Sequence, residues 1–304
     1  MPIEIYNAGK YYGDFKALDN VNINVQAGTI HGLIGINGSG KTTLIKALVG
    51  IHHIDEGEIK ILGEPVYENV NIKSKIGYVA DRNRFFKSYT IDALIKFYKG
   101  MYPSFMETKF DEYNHKMKLN KKKRVNALSK GMQMRLSVML NLARNPEVLI
   151  LDEPTSGLDV VAKRDILNFI IQDVEERGMS VLISSHHLAE LEMLCDEITM
   201  LSSGKMLYQS TVTDIKEKIK KMQVVFKIPL KEGTINELRQ LDIILDVSNI
   251  GSVYYIVTNN IEQAIEKLKG LDVVLIENIP MSIEEIFIYT NLDKEWEHED
   301  INKI

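Results

Sequence analysis

One run of residues constrains this chain more than any other, "TIHGLIGINGSGKTTLIKALVG" at residues 29–50. An apolar, β-branched segment passes into a glycine-rich loop and then into a helical pattern. Glycines let successive backbone N–H groups curl around a phosphate, and a helix that opens there turns its positive end to the same anion. Asn37, Gly38, Ser39, Gly40, Lys41, Thr42 and Thr43 are the candidate nucleotide contacts. Among them Lys41 supplies a cation to the β and γ phosphates, and Thr42 offers a hydroxyl to Mg²⁺. Strand, loop and helix agree, so the expected fold is α/β with a nucleotide at the carboxyl end of a sheet.

The rest of the chain extends that pattern. "VLILDE" precedes "AKRDILNFIIQDVEERG", and "SVLISS" precedes "HLAELEMLC". Short buried runs separated by helices predict a parallel sheet with helices on both faces. "VNINVQAG" and "GEIKILGEPVY" read instead as short strands with turn residues, an antiparallel addition. Between Arg84 and Leu128 the pattern is mainly helical and rich in aromatics, and its basic run "KKKR" reads as a solvated face. After "MLSSGKMLYQ" the order over residues 220–290 becomes βαββαβ, that of a ferredoxin-like motif. The expected organisation is a domain over 1–215 with a helical subdomain at about 84–145, a small α+β domain over 220–290, and an acidic tail over 291–304.

Composition narrows the partners. A length of 304 residues suits two domains, and a net charge of −5 makes the chain as a whole no electrostatic match for nucleic acid or an anionic membrane. The single cysteine, Cys195, cannot form an internal disulfide, and "MPIEIYNAGK" lacks the charged-then-apolar order of a secretory signal. No apolar run approaches the ~18 residues that cross a bilayer. A cytoplasmic chain is expected, with any membrane role exercised through a partner.

Two further strand ends carry chemistry. "VLILDEP", residues 148–154, runs an apolar strand out into two carboxylates. Asp152 faces the phosphate loop, where it helps hold Mg²⁺, and Glu153 is free to polarise an attacking water. "SVLISS" ends in two histidines, of which His186 is the candidate to hydrogen-bond the γ-phosphate and keep water and base in line, while His187 starts the next helix. His52 and His53 lack other ligands at metal spacing and read as loop residues. One element is left over: "LSKGM", residues 128–132, sets a serine and a glycine at a helix N-terminus, an anion site far from the phosphate loop.

"GINGSGKTT", "LSKGM", "VLILDEP", "SGLD" and "SSH", in this order, resemble the nucleotide-binding subunits of ABC transporters over about residues 1–210. The resemblance implies a P-loop NTPase of ABC type that hydrolyses ATP with Mg²⁺. It also implies a second ATPase subunit, a copy or a related chain, whose γ-phosphate is capped by Ser129 and Gly131, head to tail. Tyr12 resembles the adenine-stacking aromatic, with Tyr11 beside it as the alternative, and Asp159, with Ser156 and Gly157, matches the loop that communicates across the dimer. Lys130 and Met132 depart from the family's usual Gly and Gln, and the Met removes the capping-box partner of Ser129. Asp81, in "GYVADRN", stands where the family has the Gln that touches Mg²⁺ and water, and is a candidate metal ligand.

The resemblance further implies an integral-membrane transporter subunit as partner, no nucleic acid, and a peripheral location on the cytoplasmic face of the plasma membrane. Phe85, Phe86, Tyr89, Phe97, Tyr98 and Tyr102 fall where the family forms the groove for a coupling helix, although a helical subdomain's own core needs such residues too. The C-terminal region resembles the appendage of ABC-2-type exporter ATPases, including those of antimicrobial and toxic-peptide exporters, which suggests amphipathic peptides or hydrophobic antimicrobials as cargo. The alternative is an ABC ATPase acting on ribosomes or DNA, but the chain shows neither tandem ATPase domains nor long heptad arms. A GTPase switch would need a guanine-reading Asn-Lys-x-Asp element, which "NKKK" at Asn120 does not supply.

Overall fold

A computed structural model describes residues 1–81 and 88–289. The chain divides into two compact units, Met1–Gln209 and Ser210–Ile304.

In chain order the first unit begins with strands β1 (Ile3–Tyr12), β2 (Phe15–Val25) and β3 (Ile30–Ile34), then helix α1 (Lys41–Leu48). Strands β4 (Glu56–Ile61) and β5 (Glu64–Pro65), helix α2 (Val70–Lys75) and strand β6 (Ile76–Val79) follow. Three helices come next: α3 (Ile91–Met101), α4 (Glu107–Met117) and α5 (Lys130–Ala143). The unit closes with β7 (Val148–Asp152), α6 (Val160–Arg177), β8 (Ser180–Ser185), α7 (Leu188–Glu192), β9 (Glu197–Ser202) and β10 (Lys205–Thr211).

These strands make two sheets, β2-β1-β4-β5 and β10-β9-β3-β8-β7-β6. In the second, β3 runs parallel to β8 and β9, and β7 runs parallel to β6 and β8. Every residue of β3, β7 and β8 is buried, as strands covered on both faces must be. The smaller sheet is antiparallel, and Ile5, Val21, Ile23 and Ile59 of its strands share one apolar cluster with Leu33, Ile150 and Leu182 of the larger. Helix α1 adds Leu44, Ile45 and Leu48 to the same cluster, so the element that opens at the phosphate loop is pinned by that core.

The helical subdomain is tied down by charge. Asp173 of α6, wholly buried, accepts a 2.8 Å hydrogen bond from the Tyr113 hydroxyl of α4 and pairs with Lys109 of α4 and Arg177 of its own helix. Removing a buried carboxylate leaves its cations unpaired, although both lysine and arginine keep some water. Asp173→Ala is therefore expected to cost stability toward the lower end of about 3–5 kcal/mol, read by denaturant unfolding. Unchanged stability would show that the cluster contributes nothing net.

The second unit holds α8 (Val212–Lys218), β11 (Lys220–Phe226), α9 (Glu232–Arg239), β12 (Ile244–Ile250), β13 (Val253–Thr258), α10 (Ile261–Leu268), β14 (Val273–Ile279) and α11 (Ile283–Tyr289). Its sheet order, β12-β13-β11-β14 with every pairing antiparallel, is that of the ferredoxin-like βαββαβ fold. Met222, Val224, Ile256 and Leu268 form its core. The division falls ahead of residue 215 because α8 packs on α11 and so joins this unit. The acidic tail lies outside the described residues.

Candidate active site

Three parallel strands, β3, β7 and β8, end side by side, and their carboxyl ends carry the phosphate loop, the two carboxylates and the histidine. The loop between β3 and α1 is tight. A Cβ on Gly35 would stand 2.3 Å from the Ser39 hydroxyl and 2.4 Å from the Leu201 carbonyl, and Gly38 and Gly40 hold positive φ of 87° and 105°. Only glycine meets these conditions at low cost. The Ser39 hydroxyl is buried without a hydrogen-bond partner among the described residues, and the Lys41 ammonium donates to the Gly35 and Ile36 carbonyls at 2.5 and 3.2 Å. Burial pulls the Lys41 pKa down, while Glu153 and Asp152 act against that pull.

Asp152 is buried at the end of β7. Register sets it opposite Ser184 of β8, whose hydroxyl donates to it at 2.9 Å, and the Thr42 side chain lies close enough to favour its charged form. Burial pushes its pKa up, with the neighbouring Asp81 carboxylate adding to the rise, and Ser184, Thr42 and Lys41 oppose it. A buried carboxylate in such a setting gains from a cation beside it. The Thr42 hydroxyl, Asp152 and Asp81 present oxygen donors to one cleft, the donor class that Mg²⁺ prefers. Among the described residues no cluster of three His, Cys, Asp or Glu side chains makes a metal site by itself.

Glu153 is the strained residue of the site. Its φ of 49° is left-handed, an unusual state for glutamate, and it persists because its backbone N–H donates to Ser184 Oγ at 3.1 Å. That twist turns its carboxylate between two partners, with His186 Nδ1 at 2.8 Å and Lys41 Nζ at 4.0 Å. The His186 and His187 rings meet at 3.9 Å between centroids with their planes tilted by 44°, and the His187 backbone N–H donates to Ser185 Oγ.

The cleft, about 350 Å³, is lined by Phe15, Ala17, residues 37–43, Asp81, Asp152 and Glu153. The aromatic ring in that lining is Phe15. Tyr12, the expected stacking residue, stands just outside, pairs with Phe15 across the β1–β2 turn, and meets His52 edge-on at 6.3 Å. Tyr11 is turned away from the cleft into a 2.7 Å hydrogen bond with Glu56. The two-residue turn between β1 and β2 decides which aromatic faces the loop, and the bare sequence offers no signal for it. Arg82 and Arg84, close to Asp81 in the sequence, lie outside the described residues, as do Phe85 and Phe86.

Neither Ser129 nor Gly131 lines this cleft. Ser129 caps α5, accepting from the Met132 backbone N–H at 3.2 Å. Met132 stands where the resemblance implies glutamine, but the next residue, Gln133, donates to the Leu128 and Val125 carbonyls at 3.1 and 3.4 Å and steadies the loop ahead of the cap. Asp159 caps α6 through the Ala162 N–H at 2.9 Å, and Arg135 of α5 reaches it at 3.4 Å. The Ala162 hydrogen bond, aided by Arg135, lowers its pKa despite slight desolvation. In the helical subdomain Tyr98 packs among Phe97, Tyr102 and the buried Phe105, and the Arg144 guanidinium lies 3.7 Å over the Tyr102 ring. Of the described aromatics expected at a docking groove, Tyr89 alone is exposed.

A glycine-walled phosphate loop with paired carboxylates and a histidine at adjoining strand ends defines a P-loop nucleotide hydrolase. Comparison narrows the class. The ABC transporter family model matches residues 18–156. The ABC transporter ATP-binding protein YtrB of Bacillus subtilis is 29% identical over 94% of this chain and 97% of its own length. The bacitracin transport ATP-binding protein BcrA of Bacillus licheniformis is 34% identical over 70% of each chain. Among solved structures, the dimeric post-hydrolysis state of an ATP-binding cassette bound to ADP and Pi superposes with a TM-score of 0.63 over 69% of this chain and 98% of that one, at 24% identity. The chain belongs to the ABC transporter family, as its ATP-binding subunit, and is an ATPase.

Proposed function

We propose that this subunit powers export through a separate integral-membrane partner, and that two such ATPase subunits close head to tail on ATP. The observation that carries the hydrolytic part is the posture of Glu153, turned by a left-handed backbone between Lys41 and His186 at the mouth of the phosphate loop. Glu153 takes the proton of the attacking water. His186 holds the base carboxylate in place and meets the γ-phosphate, and Lys41 neutralises the β and γ oxygens. Thr42, Asp152 and Asp81 would hold Mg²⁺, which when bound neutralises phosphate charge.

The head-to-tail part rests on separation within one chain. Ser129 and Gly131 lie outside the cleft that their own phosphate loop forms, so they are available to a partner's γ-phosphate. A symmetric pair then completes two sites. Phe15, with Tyr12 beside it, packs the base of the nucleotide.

Export, rather than work on ribosomes or DNA, is favoured by relatives named as bacitracin transport and Nod factor export ATP-binding proteins, and the suggested cargo is an amphipathic peptide or a hydrophobic antimicrobial. No helix among the described residues is long and apolar enough to cross a membrane, so a peripheral place on the cytoplasmic face, held by the partner, fits this reading. Affinity purification from native membranes tests it. Recovery of a multi-helix membrane protein that stimulates ATP hydrolysis is the expected result, and recovery of ribosomes or DNA-bound complexes instead would reject the reading.

A further inference from the structure

Outside the residues so far given a role, one polar cluster joins three parts of the site. Thr155, two residues beyond Glu153, is buried, and its hydroxyl donates to Glu190 Oε2 at 2.6 Å. The other oxygen of the same carboxylate, Glu190 Oε1, receives the Lys163 ammonium at 2.5 Å. Glu190 lies on α7, the helix that follows His186, and Lys163 lies on α6, the helix that Asp159 caps. Two short turns, closed by the Ser156 N–H on the Glu153 carbonyl and the Leu158 N–H on the Thr155 carbonyl, make the intervening loop a compact unit. Burial raises the Glu190 pKa, but the Lys163 and Thr155 hydrogen bonds outweigh it and keep the carboxylate below its ordinary range.

We infer that Glu190 is a positioning residue for hydrolysis: one carboxylate clamps the loop of the base Glu153 and the helix behind Asp159 to the helix that carries on from His186. Glu153 and His186 come from different strands, and their 2.8 Å contact depends on β7 and β8 ends keeping one relative placement. Ser184 holds the backbone side of that placement, and Glu190 holds the loop side. Because Lys163 lies on the first turn of the Asp159 helix, a push on the Asp159 loop reaches the base loop through two charge-assisted hydrogen bonds. None of these three side chains lines the nucleotide cleft, so the clamp acts on turnover and leaves ATP affinity alone.

The inference rests on Glu153 acting as the base, and its test keeps the two apart. Steady-state ATPase rates and nucleotide binding are measured on the full chain for Glu190→Ala, Thr155→Val, Thr155→Ser and Glu153→Gln. Loss of a hydrogen bond to a charged group, or a small misplacement of a catalytic side chain, costs about tenfold to a hundredfold. Glu190→Ala and Thr155→Val are expected to lose kcat by that factor with KM and ATP affinity within about twofold of wild type, and Thr155→Ser, which keeps the hydroxyl, to restore most of it. A Glu190→Ala, Lys163→Met double variant should fall no further than Glu190→Ala, since both remove one clamp. Glu190→Ala and Thr155→Val turning over at the wild-type rate while Glu153→Gln is inactive would overturn the clamp and leave the base in place. Should Glu190→Ala fail to fold, the Thr155 pair decides: equal rates for Val and Ser overturn the inference. Turnover in Glu153→Gln would instead strike the base assignment itself.

Discussion

Replacing Glu153 with glutamine is expected to lower ATP turnover by about 10² to 10⁴ while leaving nucleotide bound as tightly as before, or somewhat more tightly. The side chain keeps its size, and its amide still offers an oxygen to His186, so the 2.8 Å contact has a substitute. What disappears is the ability to take a proton. A negative charge also leaves the neighbourhood of the γ-phosphate, and the weakened repulsion favours the bound state. Phosphate release and nucleotide binding measured on the same preparation separate the two effects. Turnover within a few-fold of wild type would remove Glu153 from the mechanism, and Lys41, His186 and Ser184 would then surround some other proton acceptor.

The parts of this site that chemistry demands were legible in the sequence. A loop that wraps phosphate must have glycine where a Cβ would strike a neighbour, and Gly35 and Gly40 are such positions. Carboxylates at the end of an apolar strand are expected beside the phosphate loop because parallel strands aim their carboxyl ends at one crevice. The two sheets and the βαββαβ order could likewise be read, because burial on both faces and burial on one face leave different patterns.

What escaped the sequence depends on register and on turns. Ser184 reaches both Asp152 and Glu153 only because β7 and β8 pair as they do, which no run of residues announces. The turn between β1 and β2 brings Phe15, rather than Tyr12, into the cleft lining. Met132 reads as a lost support, yet the neighbouring Gln133 supplies carbonyl contacts from one position along. Glu190 gives no signal at all, since an acidic residue on an exposed-looking helix is ordinary until its two partners are seen.

The second large effect concerns the head-to-tail pairing. Gly131→Asp places a carboxylate where a partner's γ-phosphate is expected, and two anions at contact distance in a closed, water-poor site repel strongly. The substitution should spare the fold. A Cβ at Gly131 meets only the end of the Leu158 side chain, at 3.1 Å, and an acidic residue in the first turn of α5 suits the helix dipole. The phosphate loop of the same chain is untouched, so ATP still binds. Gly131→Ala serves as the control that adds bulk without charge.

Sizing chromatography with Mg²⁺-ATP, in the Glu153→Gln background so that the closed state is not consumed by hydrolysis, tests the central claim that Ser129 and Gly131 cap a partner's nucleotide. The account predicts an ATP-dependent dimer for Glu153→Gln alone, and a monomer that still binds ATP when Gly131→Asp is added. An unchanged ATP-dependent dimer with Gly131→Asp would contradict it and reduce "LSKGM" to the N-terminal cap of a helix.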